Sequence, residues 1–369
     1  MVLSPHFMIE LVGLFAGALI ASCLSVGGTL YLARRHAILD IPNERSSHTE
    51  SVPRGGGLAI VAVCLGGLWL FLWLNPVIER SAILAYTVGA LLVAAVSWLD
   101  DLKSVPSWVR FLVHSIAAAI AIFGVGYTSG MFSTVGQIPV GVLGVIVTLV
   151  WIVGLTNAYN FMDGIDGIAG GQAVVAGLAW AIYAGPHAQS LIVILGLLLA
   201  ASSLGFLFYN WSPARIFMGD VGAAFLGYSF AVLPLLFNSM VGRRGHWVGG
   251  IALGVLPVWP FVFDSSFTFL RRWRLGENVF SAHRSHLYQR LVILGYSHFV
   301  VSLLYAGLAV LGSLLLLSLI LQPRRGQLTV IIVLPLLCLF LWTLVIRCEA
   351  KRRTRTSLYS QSASLESHQ

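Results

Sequence analysis

Residues Thr156–Gly171 read TNAYNFMDGIDGIAGG, and they interrupt an otherwise oily sequence with two amides, two carboxylates and four glycines. Asn157, Asn160, Asp163 and Asp166 recur every third residue, so on a helix they turn slowly about one side and can converge on one target. Gly164, Gly167, Gly170 and Gly171 loosen the chain there and let backbone approach a bound group closely. The cluster lies between two apolar runs, 138–156 and 168–185, each near the roughly 20 residues that cross a hydrocarbon core. The cluster is therefore a polar site at the junction of two membrane helices, suited to a metal ion and a phosphorylated substrate.

Outward from that junction the pattern repeats. The chain has 369 residues, 58% hydrophobic and 10% charged, which is far too apolar for a soluble protein of this size. Further apolar windows cover 7–32, 57–75, 82–99, 109–127, 190–208, 222–238, 247–264, 294–321 and 328–346. The expected architecture is an all-α polytopic membrane protein of about 10–11 transmembrane helices. Residues 1–346 are expected to form one catalytic membrane domain, and 347–369 a basic, disordered cytoplasmic tail. The first window lacks a preceding basic residue and a small-residue cleavage site, so it reads as a retained helix.

Charge sets the orientation. Of the 22 Lys and Arg residues, only Arg80, Arg243, Arg244, Arg324 and Arg325 fall outside when the N-terminus is placed outside, so the positive-inside bias favours N-out and C-in. Of the 14 acidic residues only Glu10 and Glu79 fall outside. All candidate chemistry thus sits on the inner face, which argues against a transporter with midplane ionisable groups. The formal charge of +8 follows from this topology and calls for no nucleic-acid partner. Cys23, Cys64, Cys338 and Cys348 show neither metal spacing nor a disulfide framework.

Four more stretches stand out on that face. Arg54 precedes Gly55-Gly56-Gly57, a turn whose N–H groups can receive an anion, although such a turn is also an ordinary loop. Asp100-Asp101 close the third helix against its dipole, which requires a compensating cation; Lys103 and Arg110 are the nearest. Asp220 opens the eighth helix, where capping is the plain alternative, with Arg215 beside it. The ninth helix is expected to end at Asp264. Beyond it, Arg271, Arg272 and Arg274 read as membrane-surface charge, whereas His283, Arg284 and His286 can donate several hydrogen bonds to phosphate. His114 reads as a hydrogen-bonded interior residue.

Five ordered motifs now cover nearly the whole chain: PRGGG at 53–57, Asp100-Asp101, NAYNFMDGIDG at 157–167, PARIFMGD at 213–220 and HRSH at 283–286. Together they resemble the polyprenyl-phosphate N-acetylhexosamine-1-phosphate transferases, and HRSHLYQRL looks more like the O-antigen-initiating branch than the peptidoglycan branch. Ser51-Val52, Ala223 and Gln172 depart from common family residues without removing a proposed metal ligand.

The resemblance implies attack by undecaprenyl phosphate on the β-phosphorus of a UDP-N-acetylamino sugar, giving undecaprenyl-diphospho-sugar and UMP at the inner membrane. Two dianions meeting at about 4 Å, at an effective dielectric near 20, repel by about 16 kcal/mol, so screening is the main task of the site. By similarity Asn160 and Asp220 hold Mg2+, with Mn2+ as the alternative cation. Arg54, Asn157, Asp163, Asp166, Arg215, His283, Arg284 and His286 bind substrate. Asp100, Asp101 and Asp220 form the catalytic set. A lipid phosphate is already mostly dianionic at neutral pH, which favours direct displacement, with Asp100 or Asp101 positioning the acceptor or a metal-bound water. A covalent aspartyl-phosphate is the other route. A transporter of phosphorylated lipid and a transferase with another donor are the competing functions, and monomer or homodimer is left open.

Overall fold

The computed structural model describes residues 5–40, 51–76, 80–128, 130–131, 138–139, 141–187, 190–241, 250–279 and 283–366. Among them are twelve α-helices: α1 (Pro5–Arg35), α2 (Gly57–Leu74), α3 (Ser81–Lys103), α4 (Ser107–Gly124), α5 (Gly141–Phe161), α6 (Ile168–Ala184), α7 (Ser190–Asn210), α8 (Gly219–Val241), α9 (Gly250–Arg274), α10 (Leu287–Ile293), α11 (His298–Leu321) and α12 (Pro323–Glu366). Ten are long and apolar enough to cross a membrane. The shorter α6 packs along α7, and the backbone N–H that precedes it, Gly167, donates to Asn210 at the end of α7. The two therefore run antiparallel across the bundle, and α6 serves as the eleventh expected crossing.

The pattern that makes each helix is hydrophobic content rather than a polar stripe, because lipid or protein covers every face. α8 is the central post: every residue from Val221 to Phe237 is buried, and α2, α3, α5 and α9 pack around it. α1 and α12 lie outside, with Ile9, Leu24, Ile332 and Leu336 exposed as lipid-facing side chains. Small residues let the interior helices close up. A Cβ added to Gly177 of α6 meets the Gly196 carbonyl of α7 at 2.6 Å and the Ala200 N at 2.9 Å.

Three boundaries differ from the sequence expectation. α5 ends at Phe161, so only Asn157 and Asn160 are helical, and Asp163 and Asp166 occupy the turn before α6; Gly164 and Gly167 stop the helix there. α9 continues to Arg274, which places Asp264 inside the helix, since nothing after it breaks the backbone pattern. α12 runs on to Glu366 across the stretch expected to be disordered, because residues 347–366 contain neither proline nor glycine. Arg45, Glu79, Arg243 and Arg244 lie outside the described residues.

Apart from the short α10, successive helices alternate direction, and the polar motifs therefore collect at one end: the last turns of α3 and α5, the first of α4 and α8, and the segment before α10. Gly177→Val should force α6 from α7. The expected cost is about 1–3 kcal/mol, read as a lowered unfolding temperature of the detergent-purified protein.

Candidate active site

Two distant motifs are joined by backbone alone. Phe217 N donates to the Pro53 carbonyl (2.8 Å), Gly56 N to Phe217 O (3.0 Å) and Gly57 N to Met218 O (2.9 Å). The PRGGG segment thus runs alongside IFMGD, and its Gly56 and Gly57 N–H groups are occupied. This corrects the expectation of an anion nest at those two donors: the neighbouring segment, more than 150 residues away in sequence, takes them first. On the other side Leu39–Asp40 (β1) pairs antiparallel with Val52–Pro53 (β2), which brings Asp40 beside Arg54. The Arg54 guanidinium reaches Asp40 at 2.9 Å and Asp101 at 3.4 Å. Burial opposes its charge, but Asp40 and Asp101 outweigh that and hold its pKa above the ordinary arginine value.

Asp101 is the anchor of the next layer. Its side chain is fully buried; Oδ1 accepts from Asp220 N at 3.0 Å and Oδ2 from Val221 N at 3.2 Å. A carboxylate from α3 therefore caps the N-terminus of α8, satisfying two otherwise unpaired donors and meeting the positive end of that helix dipole. Gly219 makes the approach possible. Its φ is +76°, and a Cβ there sits 2.6 Å from the Asp101 carboxylate. Asp100 turns the other way, accepting from Val105 N at 2.6 Å and pairing closely with Arg110. The same guanidinium nitrogen of Arg110 reaches Asp220 at 3.2 Å, so Arg110 bridges the two carboxylates.

From α5, Asn160 hydrogen-bonds the Asp220 carboxylate, and Asn157 lies a turn earlier, donating to Val153 O at 2.7 Å and contacting His114 Nδ1 at 3.3 Å. His114 is accordingly the interior hydrogen-bonded residue expected. Asp163 joins the carboxylate group: burial, then the like charges of Asp220, Asp101 and Asp166, push its pKa well up. Asp166 faces a different set of partners. Ala214 N donates to it at 3.2 Å, His298 Nδ1 lies 3.4 Å away, and Ser212 also donates. Burial works against the charge, but these groups hold Asp166 below the ordinary carboxylate range.

The HRSH segment arrives from α9. Tyr288 OH donates to the Phe161 carbonyl at 3.0 Å, which seats α10 against the end of α5. His286 is buried with its ring 6.4 Å from that of Phe161 and 5.0 Å from that of His283. His283 and Arg284 are half-buried. Arg215 is not brought to Asp220: it folds back over the Tyr209 ring at 4.7 Å and donates to Phe208 O.

Asp100, Asp101, Asp163 and Asp220, with Asp40 behind them, thus outnumber Arg54 and Arg110. Asp220 and Asn160 together offer hard oxygen ligands. Among the described residues no three His, Cys, Asp or Glu side chains form a metal-holding group. Asp40, Asn210, Asp264 and His298 were not singled out as site residues from the sequence. Each acts through a partner at least 14 residues away, and no local pattern announces that.

Such an arrangement, at one end of an apolar bundle, can serve transfer of a phosphorylated group at a membrane surface. The profile of glycosyl transferase family 4 matches residues 83–238. A probable undecaprenyl-phosphate N-acetylglucosaminyl 1-phosphate transferase of Bacillus subtilis (strain 168) is 30% identical over 290 residues, covering 76% of this chain and 78% of its own length. A decaprenyl-phosphate N-acetylglucosaminephosphotransferase of Mycobacterium tuberculosis (strain CDC 1551 / Oshkosh) is 28% identical over 341 residues, covering 84% and 82%. The chain belongs to the polyprenyl-phosphate N-acetylhexosamine-1-phosphate transferase family.

The low pKa of Asp166 predicts a stability effect. Its folded value lies below the unfolded one, so the stabilisation is fully present above about pH 4 and is lost as pH falls through the folded value. Asp166→Asn should cost about 1.5–3 kcal/mol at neutral pH, and the gap between its thermal unfolding and that of the wild type should narrow on acidification.

Proposed function

We propose that the chain transfers an N-acetylamino-sugar 1-phosphate from a UDP-sugar to undecaprenyl phosphate on the cytoplasmic face of a bacterial inner membrane. The products are undecaprenyl-diphospho-sugar and UMP, the first step of a surface glycan such as O-antigen. The observation that carries this reading is the convergence of Asp100, Asp101, Asn160 and Asp220 at one end of the bundle, bridged by Arg110. The names of the two relatives support a polyprenyl phosphate acceptor and an N-acetylglucosamine-type group. The inner face is favoured because that end of the bundle carries most of the basic residues.

In this reaction an oxygen of the lipid phosphate forms a bond to the donor's β-phosphorus, and the bond from that phosphorus to the bridging oxygen breaks. UMP departs with the bridging oxygen and its electron pair. Asn160 and Asp220 would hold Mg2+, which supplies charge neutralisation of the diphosphate. His283 and Arg284 donate to phosphate oxygens, and Arg54 holds Asp101 in register. Asp101 has both oxygens engaged by the α8 backbone, and a nucleophilic role requires it to surrender that cap. Direct displacement needs no such sacrifice, with Asp100 positioning the acceptor or a metal-bound water.

The test is UMP release by the detergent-purified protein with undecaprenyl phosphate and a panel of UDP-N-acetylamino sugars. Turnover should need the lipid and Mg2+, stop with EDTA, and fall by at least about 100-fold in Asp220→Ala. Folded protein that releases no UMP with any donor defeats the reading. With UDP-sugar alone, no phosphorylated enzyme should accumulate; trapping one on Asp100 or Asp101 defeats direct displacement.

A further inference from the structure

Asp264 is a carboxylate with 0% exposure in the interior of α9, and five donors surround it. Oδ1 accepts from Leu287 N at 2.8 Å and Thr268 Oγ1 at 3.1 Å, and lies 3.2 Å from His286 Nδ1. Oδ2 accepts from Tyr305 OH at 2.6 Å and Tyr288 N at 3.1 Å. A charge in this environment is tolerated only when its oxygens are so satisfied. The donors come from three places: α9 itself, α11 through Tyr305, and the start of α10 together with the last residue of HRSH. Thr268 is local, one turn along; the other four would have no reason to meet without Asp264.

We infer that Asp264 is a positioning residue for transfer, acting through His286 to hold the HRSH segment at the site. Because an ionised carboxylate only accepts, the His286 proton sits on Nδ1. The His286 ring is then fixed against Phe161, and the backbone bonds at Leu287 and Tyr288 fix the direction in which the chain leaves. Tyr288 carries that registration to the Phe161 carbonyl at the end of α5, one turn from Asn157 and adjacent to Asn160. His286 is therefore the buried anchor, and the half-buried His283 and Arg284 are the groups presented to phosphate. Ser285 steadies His283 through its hydroxyl, 3.0 Å from Nδ1.

The inference rests on the transfer reaction proposed above, and its test separates the two. Asp264→Asn keeps the volume but turns an amide toward donors; Asp264→Glu keeps the charge; Tyr305→Phe removes one donor only. In detergent, with thermal unfolding followed for each, Asp264→Asn should lower kcat by about 10–100-fold, with donor KM changed much less, and Asp264→Glu should restore part of it. Tyr305→Phe should lower kcat several-fold while remaining folded, and it carries the kinetic test if Asp264→Asn fails to fold. Independently of activity, nitrogen NMR of histidine-labelled protein should show His286 as the Nδ1–H tautomer in the wild type and a mixture in the variant that perturbs the pair. Wild-type protein that never releases UMP overturns the reaction. Wild-type turnover with unimpaired turnover in folded Asp264→Asn or Tyr305→Phe, or a His286 Nε2–H tautomer, overturns the positioning role alone.

Discussion

Two backbone N–H groups at the start of α8 close on the fully buried carboxylate of Asp101, and the polar cluster around Asp220 is built on that contact. It fixes where Asp220 begins its helix, and hence where Asn160 and Arg110 find it. The segment just before Asp220 is held from the opposite side by the PRGGG strand, through Phe217 and Met218. The resulting arrangement also answers an electrostatic difficulty. An acidic pair at the C-terminus of α3 lies against that helix dipole. The N-terminus of α8 compensates Asp101, and Arg54 and Arg110 compensate the pair further.

Much of this was legible in the sequence because its signals are local. Hydropathy alone marks the long helices, and three-residue spacing brings Asn157 and Asn160 to one side of α5. The acidic pair announced a need for cations and named Arg110 among the candidates. What the sequence concealed depends on separation along the chain. Nothing near Gly56 and Gly57 reveals that Phe217 and Met218 occupy their N–H groups. By hydropathy the ninth helix ends at Asp264, where the apolar run 247–264 stops. The five donors of Asp264, four of them distant, make the interior position tolerable instead.

The charge balance of the site suits a reaction between anions only in combination. Carboxylates alone repel phosphate, and arginines alone would hold it without activating a leaving group. Here Arg54 and Arg110 are already engaged by Asp40, Asp100, Asp101 and Asp220, so neither is a free phosphate clamp. Carboxylates crowd around Asp163 and Asp220, and burial and like charges there raise the Asp163 pKa. A divalent cation relieves that crowding and the repulsion between substrates together, which is the physical reason for assigning the metal to Asn160 and Asp220 in the proposed reaction.

Ordering the HRSH segment is the remaining demand, since fixing a residue's backbone costs about 1–2 kcal/mol and residues 283–286 form no regular helix. The protein meets it from both sides of α10. Asp264 collects the segment's last residue and the first two N–H groups of α10. At the other side Arg290 forms a two-pronged pair with Glu349 of α12, 2.7 Å at each oxygen, and Arg352 donates to the Ile293 carbonyl. Such bidentate pairs carry directional as well as electrostatic preference. α12 is thus peripheral in the bundle yet coupled through Glu349 and Arg352 to the segment beside the site. A short helix held between a buried carboxylate and a C-terminal glutamate transmits the rigidity of α9, α11 and α12 to His283 and Arg284.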